Sequence, residues 1–375
     1  VRLAIFLLAV TGLGGVSFGD DPAAEETGDQ PSLPDFVSKV QLHNFGGATA
    51  TDDGQGVVLH RLPAGVREKI NDRAARHMLF ARHGEIRFVL EEGEELHNVT
   101  LIFETDKPER ARLFWGDYMN AGGGKYIRGR TEFQPWTHGI FEFNRQFLPR
   151  GRFANDVCRI VINGGPWKLL GVEGNVRPPR PDELPPVLIS YGTSVTQGAK
   201  ASRSDLAWNA LAARELGYGF VNLGASGSAF CEPEIADYLA EQDWDMALLE
   251  LSGNMLSDFT VEQFRERVTY MVNTVAASHP DKPVICISVP RSRRDYFTGE
   301  RKAKVVAFRK TLENVVKTSP HRNVYFVPGP SLITPTGLSL DVLHPSDHGM
   351  IQMAHRLAAA IREKVPEDKL PKTEQ

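Results

Sequence analysis

The chain has little cysteine, no marked excess of either charge and no apolar run of about 20 residues that would cross a bilayer. Its three cysteines in 375 residues are too few for a fold built on disulfides, and no CxxC or Cys/His spacing suits zinc. Lys and Arg number 43 against 47 Asp and Glu. Without a basic block, nucleic acid is not an expected partner. The length and the 41% of hydrophobic residues predict two globular domains.

The first 35 residues have the pattern of a leader followed by an acidic tether. Residues 1–19 combine one basic residue, an apolar run and small residues near the end, which is typical of a secretory signal peptide. We expect cleavage and export, periplasmic or extracellular, rather than a retained anchor, because the run is short and interrupted by glycine. Residues 20–35 carry six acids, three prolines and no base, which predicts a disordered tether with no stable membrane insertion.

Alternation of apolar and polar residues dominates 36–177 and predicts half-buried strands. Examples of the alternation lie at 86–90, 99–103, 141–143 and 158–162. We predict an antiparallel β-sandwich domain, jelly-roll-like, with one helical stretch near 66–79. Glycine clusters at 121–124 and 163–166 are predicted turns. Three tryptophans are candidates for stacking on sugar rings, although core burial is the commoner fate; they are Trp115, Trp136 and Trp167.

Beyond a proline-rich linker at 178–186, short apolar strands alternate with amphipathic helices. The strands are predicted at 187–190, 220–223, 246–251, 284–288 and 324–327. The helices are predicted near 205–216, 233–241, 261–278, 300–317 and 346–364. This alternation indicates an α/β domain over 187–365 with a five-stranded parallel sheet and helices on both faces. Residues 366–375 are a predicted flexible tail.

Chemically useful residues follow each predicted strand in turn. In chain order they are Ser194, Gly227, Gly253 with Asn254, Arg291, and Asp341 with His344. Because ligands bind beyond the carboxyl ends of parallel strands, we expect these residues at one edge of the sheet.

Together these residues match the needs of acyl transfer. Ser194 is the candidate nucleophile, His344 the candidate general base and Asp341 the group that orients the imidazole. The backbone N–H groups of Ser194 and Gly227 and the amide of Asn254 are candidate oxyanion donors. The remaining two, Gly253 and Arg291, are candidate substrate contacts.

Four segments resemble the signature blocks of the SGNH (GDSL-like) hydrolases, over about 185–365. They are Gly-x-Ser-x-Thr-x-Gly at 192–198, a glycine-rich turn at 224–228, Gly-Asn at 253–254 and Asp-x-x-His-Pro at 341–345. The resemblance implies a three-layer flavodoxin-like fold and the same roles for Ser194, Gly227, Asn254, Asp341 and His344. Thr193 stands where the family usually has Asp, as in a bacterial subgroup with an N-terminal β-sandwich, the GDSL-like lipase/acylhydrolase family 3 type.

The sequence therefore predicts an exported serine esterase that needs no metal or organic cofactor. Small acyl esters, acetyl above all, on carbohydrate are the favoured substrates; this choice rests on export, the resemblance and the attached sandwich. Taken singly, a Gly-x-Ser turn or an Asp-x-x-His-Pro helix cap is more often structural, but the four blocks together favour catalysis. Two alternatives stay open, an acyltransferase that uses the same acyl-enzyme and a non-catalytic carbohydrate-binding protein. The sequence does not specify the oligomeric state.

Overall fold

The computed structural model describes residues 32–135 and 147–372. The predicted leader, residues 20–31 of the predicted tether, Trp136 and the strand predicted at 141–143 lie outside these ranges. Within them, an antiparallel β half that ends at Arg177 precedes an α/β half that begins at Val187. No helix in these ranges has both the length and the apolar character that a membrane span requires.

The described residues of the β half form nine strands in one hydrogen-bonded network with the order β1-β4-β7-β5-β8-β3-β2, to which β6 adds on β5 and β9 on β4. The strands are β1 Gln41–His43, β2 Gly47–Ala50, β3 Val57–His60, β4 Ala81–Leu90, β5 Thr100–Trp115, β6 Tyr118–Phe133, β7 Cys158–Gly164, β8 Trp167–Glu173 and β9 Val176–Arg177. Alternate residues such as Ile86, Phe88, Leu101 and Phe103 are fully buried in its core, since successive strand side chains point to opposite faces. The predicted antiparallel β-sandwich is confirmed.

Helix in the β half is split into two short pieces, α1 Ala64–Arg67 and α2 Asp72–Met78. The single helical stretch predicted near 66–79 is interrupted because Asn71 caps α2, accepting a hydrogen bond from Ala74 N at 2.9 Å.

The turn predicted at 121–124 is wrong, because these residues lie inside β6, where Gly124 pairs with Arg112 of β5. The chain reverses instead at Gly116 and Asp117. Gly116 has a φ of 50°, a backbone conformation that glycine adopts without strain. A strand ladder joins backbone groups only, so a run of glycines does not have to end it.

The glycine cluster at 163–166 does separate two strands, β7 and β8, as predicted. The side chains of Trp115 and Trp167 are buried and therefore cannot stack on a sugar ring at the surface.

The α/β half has a five-stranded parallel sheet with the order β11-β10-β12-β13-β14. Its strands are β10 Val187–Gly192, β11 Gly219–Gly224, β12 Met246–Glu250, β13 Val284–Ile287 and β14 Val324–Val327. Its helices are α3 Ser194–Gln197, α4 Trp208–Leu216, α5 Pro233–Glu241, α6 Val261–Ser278, α7 Gly299–Thr318 and α8 Asp347–Lys364. Ile189 packs with α5, α6 and α7, whereas its neighbour Leu188 packs with α4 and α8. Helices therefore cover both faces, and the predicted three-layer α/β fold is confirmed.

Side chains of the β half hold the end of β11. Arg61, which is 1% exposed, donates from Nη1 to Asn222 O at 3.0 Å and to Gly224 O at 2.9 Å. Between the halves, the predicted linker includes a 3-10 turn, Pro181–Glu183, whose Glu183 carboxylate accepts from Arg177 at 2.7 Å. The β half thus fixes the strand that leads into the loop at 224–228.

Candidate active site

Ser194 is the first residue of α3, directly after β10. The preceding Thr193 caps this short helix, because its hydroxyl accepts a hydrogen bond from Val195 N at 3.2 Å. Gly198, with a φ of 82°, ends it. A Cβ placed on Gly192 would lie 2.4 Å from Thr196 Oγ1, so only glycine lets the chain turn this tightly at the strand end.

Ser194, His344 and Asp341 form one continuous chain of hydrogen bonds. Ser194 Oγ lies 2.8 Å from His344 Nε2, and His344 Nδ1 lies 2.7 Å from Asp341 Oδ2. Burial raises the pKa of Asp341, but the hydrogen bonds that its carboxylate accepts from His344, Leu343 and Ser339 outweigh this and hold the pKa well below its usual value. Asp341 is therefore a carboxylate at any pH at which a serine hydrolase works.

The loop that carries Asp341 and His344 is closed by its own backbone. Leu338 and Pro345 form an antiparallel bridge, and Ser339 N donates to His344 O at 2.8 Å. Val342, between the two polar side chains, has a φ of 52°, which is strained for a β-branched residue. The short, strained loop presents both side chains at the carboxyl edge of the sheet.

The loops after β10, β11 and β12 are hydrogen-bonded to one another. Ser226 N donates to Gln197 Oε1 at 2.8 Å, and Ala229 N donates to Asn254 Oδ1 at 3.1 Å. The second contact turns the Asn254 amide so that Nδ2 faces away from Ala229. Among the described residues, neither Gly227 N nor Asn254 Nδ2 donates to an acceptor. Two N–H donors are thus left available on the loops that flank Ser194.

Residues 186–362 match the sequence model of the GDSL-like Lipase/Acylhydrolase family. The C-terminal half belongs to this family. The predicted resemblance is confirmed, and the chain is an SGNH-type hydrolase. No curated protein sequence matches the chain.

Solved structures share the fold over both halves of the GDSL-like chain. The salicylyl-acyltransferase SsfX3 of a tetracycline biosynthetic pathway is 14% identical, with a TM-score of 0.68 over 90% of this chain and 98% of that one. A family two carbohydrate esterase from Clostridium thermocellum, solved with cellohexaose, is 16% identical (TM-score 0.52, 75% and 92%). The acetyl xylan esterase Est2A from Butyrivibrio proteoclasticus is 11% identical (TM-score 0.54, 88% and 96%). At these identities the likeness establishes the two-part fold.

Of the two candidate substrate contacts in the GDSL-like half, one lies beside the serine loop and the other is hydrogen-bonded to a different loop. Gly253 is next to the serine loop, since a Cβ there would lie 3.1 Å from Thr193 Cγ2. Arg291 instead donates from Nε to Ile333 O at 3.1 Å and so braces the loop after β14. The described residues contain no group of three or more His, Cys, Asp or Glu side chains that could hold a metal ion.

Glu250, the last residue of β12, also contacts the serine loop and is not among the predicted site residues. It is 1% exposed, and its Oε2 accepts hydrogen bonds from Thr193 N at 2.8 Å, Thr193 Oγ1 at 2.6 Å and Thr196 Oγ1 at 3.1 Å. Its Oε1 is buried without a partner among the described residues. Burial raises the pKa of Glu250 to about 7, although these hydrogen bonds act in the opposite direction. The signal available in the sequence was a single acid at the end of the apolar run 246–251.

Ionisation of Glu250 should destabilise the folded protein by about 3 kcal/mol between about pH 4.5 and pH 8. A carboxyl whose pKa rises from 4.5 to about 7 on folding retains a proton that the unfolded chain releases. The contribution of protonated Glu250 to the free energy of unfolding is therefore fully present below about pH 4.5 and is lost as the pH rises through 7. We expect the free energy of urea unfolding of the parent, minus that of Glu250→Gln at the same pH, to fall by this amount across the range.

The comparison with the Gln variant is needed because buried histidines act in the opposite sense. Burial lowers the pKa of His43 to about 3 and that of His60 to about 4. These histidines bind a proton more readily in the unfolded chain, so the stability that they cost at low pH is recovered as the pH rises. Both histidines are present in both proteins and cancel in the difference. Unfolding free energies that change in parallel with pH would contradict a raised pKa at Glu250.

Proposed function

We propose that the protein is an exported serine esterase that hydrolyses small acyl esters, acetyl above all, on carbohydrate. The observation that carries the proposal is the hydrogen-bonded chain from Ser194 through His344 to Asp341 at the carboxyl edge of the sheet. The leader-like pattern of residues 1–19 supports export. The carbohydrate esterases of similar fold, one solved with cellohexaose and one an acetyl xylan esterase, support the substrate class.

In the first half of the reaction, Ser194 Oγ attacks the carbonyl carbon of the ester while His344 Nε2 takes the hydroxyl proton. Asp341 stabilises the imidazolium that forms. The carbonyl π electrons move onto oxygen, and the resulting oxyanion accepts hydrogen bonds from Ser194 N, Gly227 N and Asn254 Nδ2. The tetrahedral intermediate then collapses, the bond to the alcohol oxygen breaks, and His344 returns the proton to that oxygen.

In the second half, water attacks the acyl group on Ser194 and gives a proton to His344. A second tetrahedral intermediate forms on the same three donors. Its collapse breaks the bond to Ser194 Oγ, which recovers the proton from His344, and the carboxylic acid leaves.

Acetate release from a panel of acetylated polysaccharides and model esters of increasing acyl length tests this function. We expect the parent to release acetate and to favour short acyl chains, with the Ser194→Ala protein as the background. A parent that releases no acid above this background would contradict the proposal.

An acyltransferase is the second candidate, and the likeness to the salicylyl-acyltransferase over 90% of the chain favours it. The same acyl-enzyme forms, and an alcohol then replaces water in the second half. Product analysis with an added sugar or polyol distinguishes the two activities. Transfer of most acyl groups to the added acceptor would identify a transferase, whereas release of free acid identifies the esterase.

Truncation of Asn254 to alanine is expected to lower kcat by about 10²–10³, the usual cost of one oxyanion donor. The Nδ2 group makes no hydrogen bond within the described residues, but the truncation also removes Oδ1, which accepts from Ala229 N at 3.1 Å, so we expect a loss of stability of about 1–3 kcal/mol. Initial rates with p-nitrophenyl acetate and a thermal melt measure both quantities.

Asn254→Asp is the matched control for this truncation. It keeps an oxygen that accepts from Ala229 N but removes the Nδ2 donor, so kcat should fall at least as far as in Asn254→Ala. Parental kcat in either variant would exclude Asn254 from the oxyanion hole.

A further inference from the structure

Helix α2 of the β half lies against the loop that contains Gly227. Its cap, Asn71, donates from Nδ2 to Ser228 O at 3.0 Å. At the other end of the loop, Gly224 O accepts from Arg61 at 2.9 Å. Side chains of the β half therefore hold this loop at both ends, and the position of α2 relative to Gly227 is fixed.

The guanidinium of Arg73, in the first turn of α2, packs flat on Gly227. A Cβ placed on Gly227 would lie 2.5, 2.6 and 2.8 Å from Nη2, Cζ and Nη1 of Arg73, so three atoms of the plane approach one face of the Cα. Glycine is favoured here by its φ of 70°, and a side chain at this position would displace the guanidinium from its contact. Because the N–H bonds of a guanidinium lie in its plane, they point past Gly227 and stay available.

Arg73 carries an uncompensated charge. Its side chain is exposed and has neither a hydrogen bond nor an ion pair among the residues that the structure describes. The Glu232 carboxylate, which follows the same loop, accepts from Asn71 and makes no ion pair with Arg73. A planar cation without an ion pair, next to an N–H of the proposed oxyanion hole, is suited to an anionic oxygen pair.

We propose that Arg73 binds a carboxylate of the ester substrate, so that the β half takes part in substrate selection. The inference rests on the esterase function proposed above and narrows its substrates to acyl esters that carry a carboxylate near the scissile bond. Arginine binds a carboxylate through two parallel N–H···O hydrogen bonds. The carboxylate belongs either to the acyl chain or to the alcohol, as in a uronic acid, and the two sources need separate substrates.

Two pairs of esters test the proposal. For the acyl side, p-nitrophenyl acetate is compared with mono-p-nitrophenyl succinate; for the alcohol side, an O-acetylated methyl galactoside is compared with the corresponding galacturonoside. In at least one pair we expect the parent to favour the anionic ester by about tenfold in kcat/KM, the size of one exposed charge-assisted hydrogen bond. High ionic strength should weaken the preference.

Variants of α2 assign the preference to one side chain. Arg73→Gln should remove it, mainly through KM of the anionic ester, so that the ratio of kcat/KM between the anionic and the neutral ester falls to about one. Arg73→Lys should keep part of it, because the charge remains but the paired geometry is lost. Arg76→Gln removes the same charge from an exposed position of the same helix and should leave the preference intact.

Three results would overturn the inference while neutral-ester hydrolysis still supports the esterase. They are equal rates for both members of each pair in the parent, a preference that survives in Arg73→Gln, and an equal loss in Arg76→Gln. If the parent hydrolyses none of the four esters, the proposed function fails and this inference fails with it.

Discussion

Replacement of Ser194 by alanine is expected to lower kcat by about 10⁶-fold, the loss found when the nucleophile of a serine hydrolase is removed. The side chain lost makes one hydrogen bond, at 2.8 Å to His344 Nε2. Alanine suits the first turn of α3 at least as well as serine. The variant should therefore fold and melt like the parent while it no longer forms an acyl-enzyme.

A fluorophosphonate probe reads out the nucleophile directly, because it reacts with an activated serine and stays attached. We expect the parent to be labelled once and Ser194→Ala not at all. Ser226→Ala is the matched control, since Ser226 lies on the neighbouring loop and its contacts to Gln197 and Ser228 use only its backbone. Equal labelling of parent and Ser194→Ala would refute the assignment of the nucleophile.

The α/β half is predictable from the sequence because its signals are local. Helix α6 begins and ends at the predicted residues 261 and 278, since Thr260 and Gln263 form a capping box at its start. The parallel strands are continuous apolar runs because both of their faces are buried. Ser194 lies just after β10, and Asp341 and His344 lie in the loop between β14 and α8; the loops that follow parallel strands share one edge of the sheet, which is why the meeting of these residues could be inferred without coordinates.

Contacts between residues that are far apart in the chain could not be predicted from the sequence. Glu250 supports the serine loop across 57 positions, and Arg61 holds the loop end at Gly224 across 163. Hydrophobic periodicity and secondary-structure propensity depend only on residues close in sequence, so neither of them indicates these two contacts. The same holds for Arg73, whose place on Gly227 depends on how the β half docks. Local turn signals also failed at 121–124, because strand pairing outweighed glycine composition there.

Replacement of Asp341 by asparagine should lower kcat by about 10⁴-fold with little change in KM. One oxygen of Asp341, Oδ1, accepts three hydrogen bonds, from Ser339 Oγ at 2.8 Å, Leu343 N at 2.9 Å and His344 N at 3.0 Å. Because all three groups donate, the single oxygen of asparagine must take this position. Its NH₂ group then faces His344 Nδ1, which can only accept, so the imidazole proton moves to Nε2.

An imidazole protonated at Nε2 cannot take the proton of Ser194, and this is why the loss in Asp341→Asn should fall on kcat. The loop keeps its three acceptor contacts, so the melting temperature should stay near that of the parent. Ser339→Ala is the matched control: it removes one donor to Oδ1 but leaves the contact between Asp341 Oδ2 and His344 Nδ1, and kcat should fall far less. If Asp341→Asn kept a kcat close to the parental value, the imidazole would not depend on Asp341 for its tautomer, and the mechanism would need another partner for His344.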